Sequence, residues 1–221
     1  KNLDGCTSKM IRKLIVFLQL FMMFFSLVSH NVNAEDSLTT LMQKMQSDTA
    51  IKTVYQEIRT LELMDKPWHG SGYMYSIAPD LMIREQLKPQ RLLMGIKGEK
   101  MFYFDPDKHL HHQGEMNEEN PLSLNIAVFK ALINADEALL KRMYLIEFSS
   151  KPERWLMTLK SKQDSDSGFS IVVSGLSGQA ADTIITRQAD GDLSEFMLQQ
   201  HSIGEGVQQT ASHLYKELTG E

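Results

Sequence analysis

Short connections constrain this chain more than any other feature. Between Ile51 and Gly114 the stretches KPWHG, APD, KPQ, KGE and DPDK interrupt runs of five to fourteen residues rich in β-branched and aromatic types. Each connection has the Pro, Gly or Asp chemistry of a tight turn. A parallel crossover needs about a dozen residues or more, so strands joined this closely must be antiparallel. The predicted strands are Ile51 to Met64, Gly72 to Ile77, Leu81 to Leu87, Arg91 to Ile96, Lys100 to Phe104 and Leu110 to Gly114. A second series follows as Leu145 to Phe148, Trp155 to Lys160, Gly168 to Ser174, Thr183 to Arg187 and Leu193 to His201, separated by SSKPE, SKQDSDSG, GLSGQA and ADGD.

Three segments have another period. Leu38, Leu41, Met42 and Met45 form one helical stripe, with Ser37 placed as its N-cap. Pro121 suits the first turn of a central helix that carries Leu124, Ala127, Val128 and Ala131, and a short helix is predicted from Asp136 to Arg142. The tail GEGVQQTASHLYKELTGE reads equally as a last strand or a short helix. The fold class expected is mainly β with α: a large curved antiparallel sheet with an N-terminal helix and a central helical insertion on one face.

The front of the chain reads as an export signal. Arg12 and Lys13 precede the apolar run Ile15 to Val28, and Val32 and Ala34 are small residues at the exit. The run is shorter than the ~20 residues of a spanning helix. Residues 1–34 are therefore expected to be leader and signal, with Met10 as the natural start of the signal and cleavage after Ala34. Residues 35–221 are expected to form one domain. Without Lys1, Lys9, Arg12, Lys13 and Asp4, the 23 basic and 28 acidic residues become 19 and 27, a net charge of −8. That balance disfavours nucleic acid as a partner. The one cysteine, Cys6, falls in the leader, so the mature protein is expected to form no disulfide and to rest on its core alone.

Catalytic patterns are weak. His109 and His111 stand two apart on a predicted strand and would share a face, with His112 pointing the other way. A zinc site would need a third protein ligand and usually a fourth, which no local motif supplies. The sequence has no Gly-x-Ser-x-Gly, and no Gly-rich phosphate loop. Asp190 and Asp192 sit in ADGD, where Asp-Gly serves the turn. The histidines are read as a polar outer face, with no metal, no cofactor and no enzymatic activity expected; a hydrolase using His109 or His111 is the competing class. Methionine is the residue in excess. Of 14 methionines, 11 lie beyond residue 34, and a flexible, polarizable side chain suits both core filling and an adaptable apolar surface. The candidate apolar site is the strand face shared by Met74, Met82, Arg84 and Met94, facing a lid that carries Leu124, Val128 and Phe129. Strand alternation offers two faces, and a one-residue slip exchanges them.

PDLMIREQLKPQRLLMGIKGEKMFYFDP, from Pro79 to Pro106, resembles the outer-membrane lipoprotein carrier family, the LolA-like proteins, in the order and spacing of Pro79, Pro89, Gly98 and the close at Phe104 to Pro106. The likeness extends through GSGYMYS, RWLMTLK and ADGDLSEFML. It implies an incomplete, half-open antiparallel β-barrel closed by a helical lid over an apolar cavity. It also implies a monomeric, non-enzymatic periplasmic carrier that shields acyl chains between an inner-membrane donor and an outer-membrane acceptor. The sequence departs from the family where an Arg that ties the lid is replaced by Ala78, and where cavity aromatics are replaced by Met82 and Arg84. Relatives lacking that Arg resemble accessory carriers of RND-type exporters for lipids such as aryl polyenes. A lipoprotein-sensing module of envelope stress is a further alternative.

Overall fold

The computed structural model describes residues 34–115, 128–132, 135–162 and 168–221. Its strands are β1 (Ile51–Thr60), β2 (Trp68–Ile77), β3 (Leu81–Lys88), β4 (Leu92–Lys97), β5 (Lys100–Asp105) and β6 (Leu110–Glu115), then β7 (Tyr144–Ser150), β8 (Arg154–Ser161), β9 (Ser170–Leu176), β10 (Thr183–Arg187) and β11 (Leu193–Ile203). The helices are α1 (Ala34–Met45), α2 (Glu137–Met143) and α3 (Glu205–Thr219), and residues 128–132 are also helical. All eleven strands form one antiparallel sheet in the order β6-β5-β4-β3-β2-β1-β11-β10-β9-β8-β7. The first meander, β1 to β6, and the second, β7 to β11, are thus joined by pairing β1 with β11 from Ile51↔Ile203 to Thr60↔Leu193. Strands β6 and β7 lie at opposite ends of the order, so the sheet is not closed into a barrel. The open antiparallel sheet with an N-terminal helix agrees with the sequence reading.

Several details differ. Ser37 lies within helix α1 and not at a cap. Strand β1 stops at Thr60, because the backbone turns out at Leu61 and the Glu62 N–H donates to Asp192 Oδ1 at 2.9 Å. His109 is not on β6. It ends the preceding turn with φ 50°, after the Asp105 carboxylate has accepted the N–H groups of Asp107 and Lys108. Asp136 does cap α2, accepting from the Leu139 N–H at 2.9 Å.

The largest difference is that helices cover both faces of the sheet. Strand register puts Tyr55, Met74, Phe196, Ile184, Val173 and Met157 on one face, where they pack with Leu38, Leu41 and Met42 of α1, with Val128 and Leu132, and with Leu140 of α2. The opposite face of the first meander carries Tyr75, Ile83, Leu93, Phe102 and Phe104. The tail becomes helix α3 and lies on these residues through Val207, Ala211, Leu214 and Leu218. Their spacing of four, three and four forms one stripe, and Gly220 ends the helix at φ 77°, a conformation that costs glycine little. His111 closes this layer: its ring stacks on Phe104 with centroids 4.0 Å apart, and its Nδ1 lies 3.2 Å from the Leu218 carbonyl oxygen. All six residues of β6 are nonetheless exposed, so His111 stands in a solvated row, as the sequence reading expects, while one side of its ring meets this layer.

Helix α3 approaches closely because Gly95 has no side chain; a Cβ there would come within 2.4 Å of Leu218 Cδ2 and 3.2 Å of the Met82 carbonyl oxygen. An ion-pair cluster fastens the same layer. Arg91 donates to both carboxylate oxygens of Glu217 and to Glu85 Oε1 at 3.1 Å. The Arg91 guanidinium holds the Glu217 carboxyl below its ordinary value.

Two predictions concern this layer. Gly95→Val should displace α3 and lower stability by about 2–3 kcal/mol, read as a reduced urea midpoint; an unchanged midpoint would mean that the helix does not pack here. Glu217 has a depressed folded-state pKa, so its contribution is present above the ordinary carboxylate range and lost as pH falls through the folded value. Glu217→Gln should therefore lose stability at neutral pH, by less than about 1 kcal/mol at this partly exposed site, and should lose less than the parent on acidification. Parallel pH profiles for the two proteins would contradict the assignment.

Candidate functional site

The site is built by cross-strand rows on the face that carries the lid. In β1, alternation brings Tyr55, Glu57 and Arg59 to that face. Their partners in β2 are Gly72, Gly70 and Trp68, and the next β2 residue on the same face, Met74, pairs with Arg84 of β3. Arg84 pairs in turn with Met94, Met94 with Tyr103, and Tyr103 with His112. A neighbouring row runs Met82, Ile96, Met101 and Gly114. Across β11 and β10, Arg59 pairs with Ser194 and Ser194 with Thr186. These rows line a cavity of about 500 Å³, which Phe129 and Phe196 also face, within the range of roughly 300–1,000 Å³ usual for ligand pockets.

The two glycines of β2 lie between the strands that carry Glu57 and Arg84. Neither places a side chain between β1 and β3, so Arg84 reaches across β2. Its Nε donates to the Tyr55 hydroxyl at 3.0 Å, and one terminal nitrogen donates to Glu57 Oε2 and to Gln86 Oε1 at 3.3 Å. Arg59 Nε donates to the other Glu57 oxygen. Added methyl groups would clash, since a Cβ at Gly70 would meet the Trp68 indole at 2.3 Å and one at Gly72 would meet the Glu85 carbonyl oxygen at 2.0 Å. Burial pushes the Tyr55 hydroxyl above its ordinary pKa, so it accepts from Arg84 as a neutral phenol. The guanidinium also lies over the Tyr55 ring, 4.8 Å from its centroid. The Glu57 side chain is 0% exposed, that of Arg84 11% and that of Arg59 39%. The network therefore climbs from the floor of the cavity toward its rim.

The sequence-predicted residues fall as follows. Met74, Met82, Arg84, Met94 and Phe129 line the cavity. Phe129 also meets Phe196 edge-on, with centroids 5.1 Å apart. Val128 is fully buried in the core beneath the lid and does not line the cavity, while Leu124 lies outside the described residues. His112 faces the cavity and His111 the other side of the sheet. Among the described residues no three His, Cys, Asp or Glu side chains gather as a metal site. Sequence reasoning missed Tyr55, Glu57 and Arg59. The alternating glycines of GSG, flanked by strands bearing Glu57 and Arg84, were the available signal. It also missed Lys130, whose Nζ donates to the Gly98 carbonyl at 2.6 Å and ties the helical residues 128–132 to the β4–β5 turn.

The arrangement defines a class: an open antiparallel sheet whose concave, methionine-rich face is covered by helices around an apolar cavity. No protein-family model and no curated protein matches the sequence. Structures of similar fold include a LolA superfamily protein from Nitrosomonas europaea, 9% identical over 76% of this chain and 92% of that one, with a TM-score of 0.42. Also similar are a domain named for outer membrane lipoprotein sorting from Vibrio parahaemolyticus (9% identity, 82% and 99% coverage, TM-score 0.44) and a DUF1329 family protein from Desulfovibrio piger (10%, 76% and 90%, 0.46). At such identities and scores, the cavity and its side chains carry the functional reading.

The buried network makes its own prediction. Glu57→Gln removes the partner of a nearly buried guanidinium and should cost about 3 kcal/mol. Combining Glu57→Met with Arg84→Met should recover most of that loss, because no unpaired charge then remains on the floor. Simple additivity of the two single substitutions in urea titrations would show that they do not form a buried pair.

Proposed function

We propose that this protein is a carrier that shields the acyl chains of a lipoprotein or lipid during transit through the periplasm between the inner and outer membranes. The observation that carries the reading is the cavity itself. Met74, Met82, Met94 and Met101, with Ile96, Phe129 and Phe196, form its apolar lining. Each methylene moved there from water gains about 0.8 kcal/mol. The unbranched thioether side chains can repack around chains of different shape. The leader-like sequence of residues 1–34, with cleavage after Ala34, supports an exported protein, and among the described residues no helix is long and apolar enough to cross a membrane. In this reading a monomer of residues 35–221 receives cargo from an inner-membrane transporter or exporter and passes it to an outer-membrane acceptor. It takes no part in nucleic-acid binding and performs no reaction.

Ala78, Met82 and Arg84 favour a second form of the same reading, in which the donor is an RND-type lipid exporter and the cargo a free lipid. The test common to both forms is uptake of a fluorescent fatty-acyl probe. Met82→Asp puts a carboxylate in the apolar row beside Ile96 and should reduce uptake at least roughly tenfold, as expected from a desolvation cost of more than ~1.4 kcal/mol, while the far-ultraviolet circular dichroism stays that of the parent. Normal uptake by the folded variant would place the acyl site elsewhere.

A further inference from the structure

We infer that the cargo is an anionic amphiphile, a single acyl chain or lipid whose carboxylate or phosphate head is held at the Arg59 end of the cavity. The inference rests on the carrier reading and sharpens it. The acidic and basic side chains among the described lining residues, histidine apart, are Glu57, Arg59 and Arg84. Two guanidiniums against one carboxylate leave a positive charge in excess.

The excess charge has donors to spare. Arg84 uses Nε and one terminal nitrogen on Tyr55, Glu57 and Gln86, and Arg59 uses Nε on Glu57 while its guanidinium lies 5.0 Å from the Trp68 ring centroid. Among the described residues the two terminal nitrogens of Arg59 and one of Arg84 have no hydrogen-bond partner. Each oxygen of Glu57 already accepts from one arginine, through other nitrogens than these. A guanidinium aimed into an apolar cavity with free donors gains most from an anion, which it can grip with two parallel bonds.

The cavity is polar at this end, apolar along the methionines, and polar again where Tyr103, His112 and Gln113 reach it. Arg59, Ser194 and Thr186 form one cross-strand row, with Gln188 beside them. Four strand spacings away, about 19 Å at ~4.8 Å each, Met101 on β5 belongs to the row of Met82 and Ile96. A head at the first row and a tail along the methionines would satisfy both of these regions at once. A neutral ester or a bare hydrocarbon would leave the excess charge unpaired.

The test compares oleate with methyl oleate, and lysophosphatidylglycerol with monooleoylglycerol, by calorimetry on the protein and on Arg59→Gln and Arg59→Lys. Arg59→Gln leaves Glu57 and Arg84 as a neutral pair, and an unchanged circular dichroism spectrum with a cooperative urea transition would show that it folds. The parent should prefer the anion by roughly tenfold in at least one pair, as one charged hydrogen-bond pair implies. The preference should fall to about one in Arg59→Gln and persist in Arg59→Lys. The pair in which Arg59→Gln loses more identifies the head as carboxylate or phosphate. Equal binding of charged and neutral forms by the parent, or a preference that survives in Arg59→Gln, overturns this inference and leaves the carrier reading standing. Failure of all four compounds to bind overturns both.

Discussion

The pairing of β1 with β11 is the joint on which the molecule depends. Each meander could fold from its own short turns, but the face it presents is fixed only when Ile51 to Thr60 run between β2 and β11 in one register. That register aligns Glu57 with Phe196 and Arg59 with Ser194, so the polar end of the cavity contains residues from both meanders. A slip of one residue would turn Tyr55, Glu57 and Arg59 toward α3 and present Val54 and Gln56 in their place. The ionic network opposes that slip. A fully buried carboxylate is tolerable only where its two arginines can reach it, which gives Glu57 a specifying role as well as an energetic one.

The two covers of the sheet then divide the work. Helix α3 seals one face of the first meander through Gly95 and the Arg91 cluster, and that face is filled. On the other face α1, α2 and residues 128–132 pack tightly over the second meander, leaving a space over the first. The cavity is thus a consequence of uneven covering: one half of the sheet is stabilised by helices on the face where the other half is left to a ligand. Glycines at 70 and 72 let Arg84 cross β2 to Tyr55 and Glu57.

Much of the sheet was legible because its signals are local. Turn chemistry and period-two alternation fix most strands to within a residue or two, and Thr183–Arg187 to the residue. The grouping of Met74, Met82, Arg84 and Met94 is likewise a matter of alternation and short connections. What was not legible depends on contacts distant in sequence. The four apolar residues of α3 are separated by polar ones, and only the apolar back of the sheet, about a hundred residues earlier, makes that stripe a packing face. Arg84 and Glu57 are 27 positions apart and two strands apart, and no local spacing shows that they meet. His111 is the exposed strand residue that the sequence suggests, but its stacking on Phe104 and its approach to the Leu218 carbonyl are not visible locally.

The central claim is that the cavity holds an acyl chain in the cell. It is tested most directly by mass spectrometry of organic extracts from the protein isolated from its native envelope at its natural level. The account predicts an acyl-chain lipid approaching one molecule per protein, lost in Met82→Asp. Extracts that repeatedly hold no lipid, from protein that is folded, would contradict it.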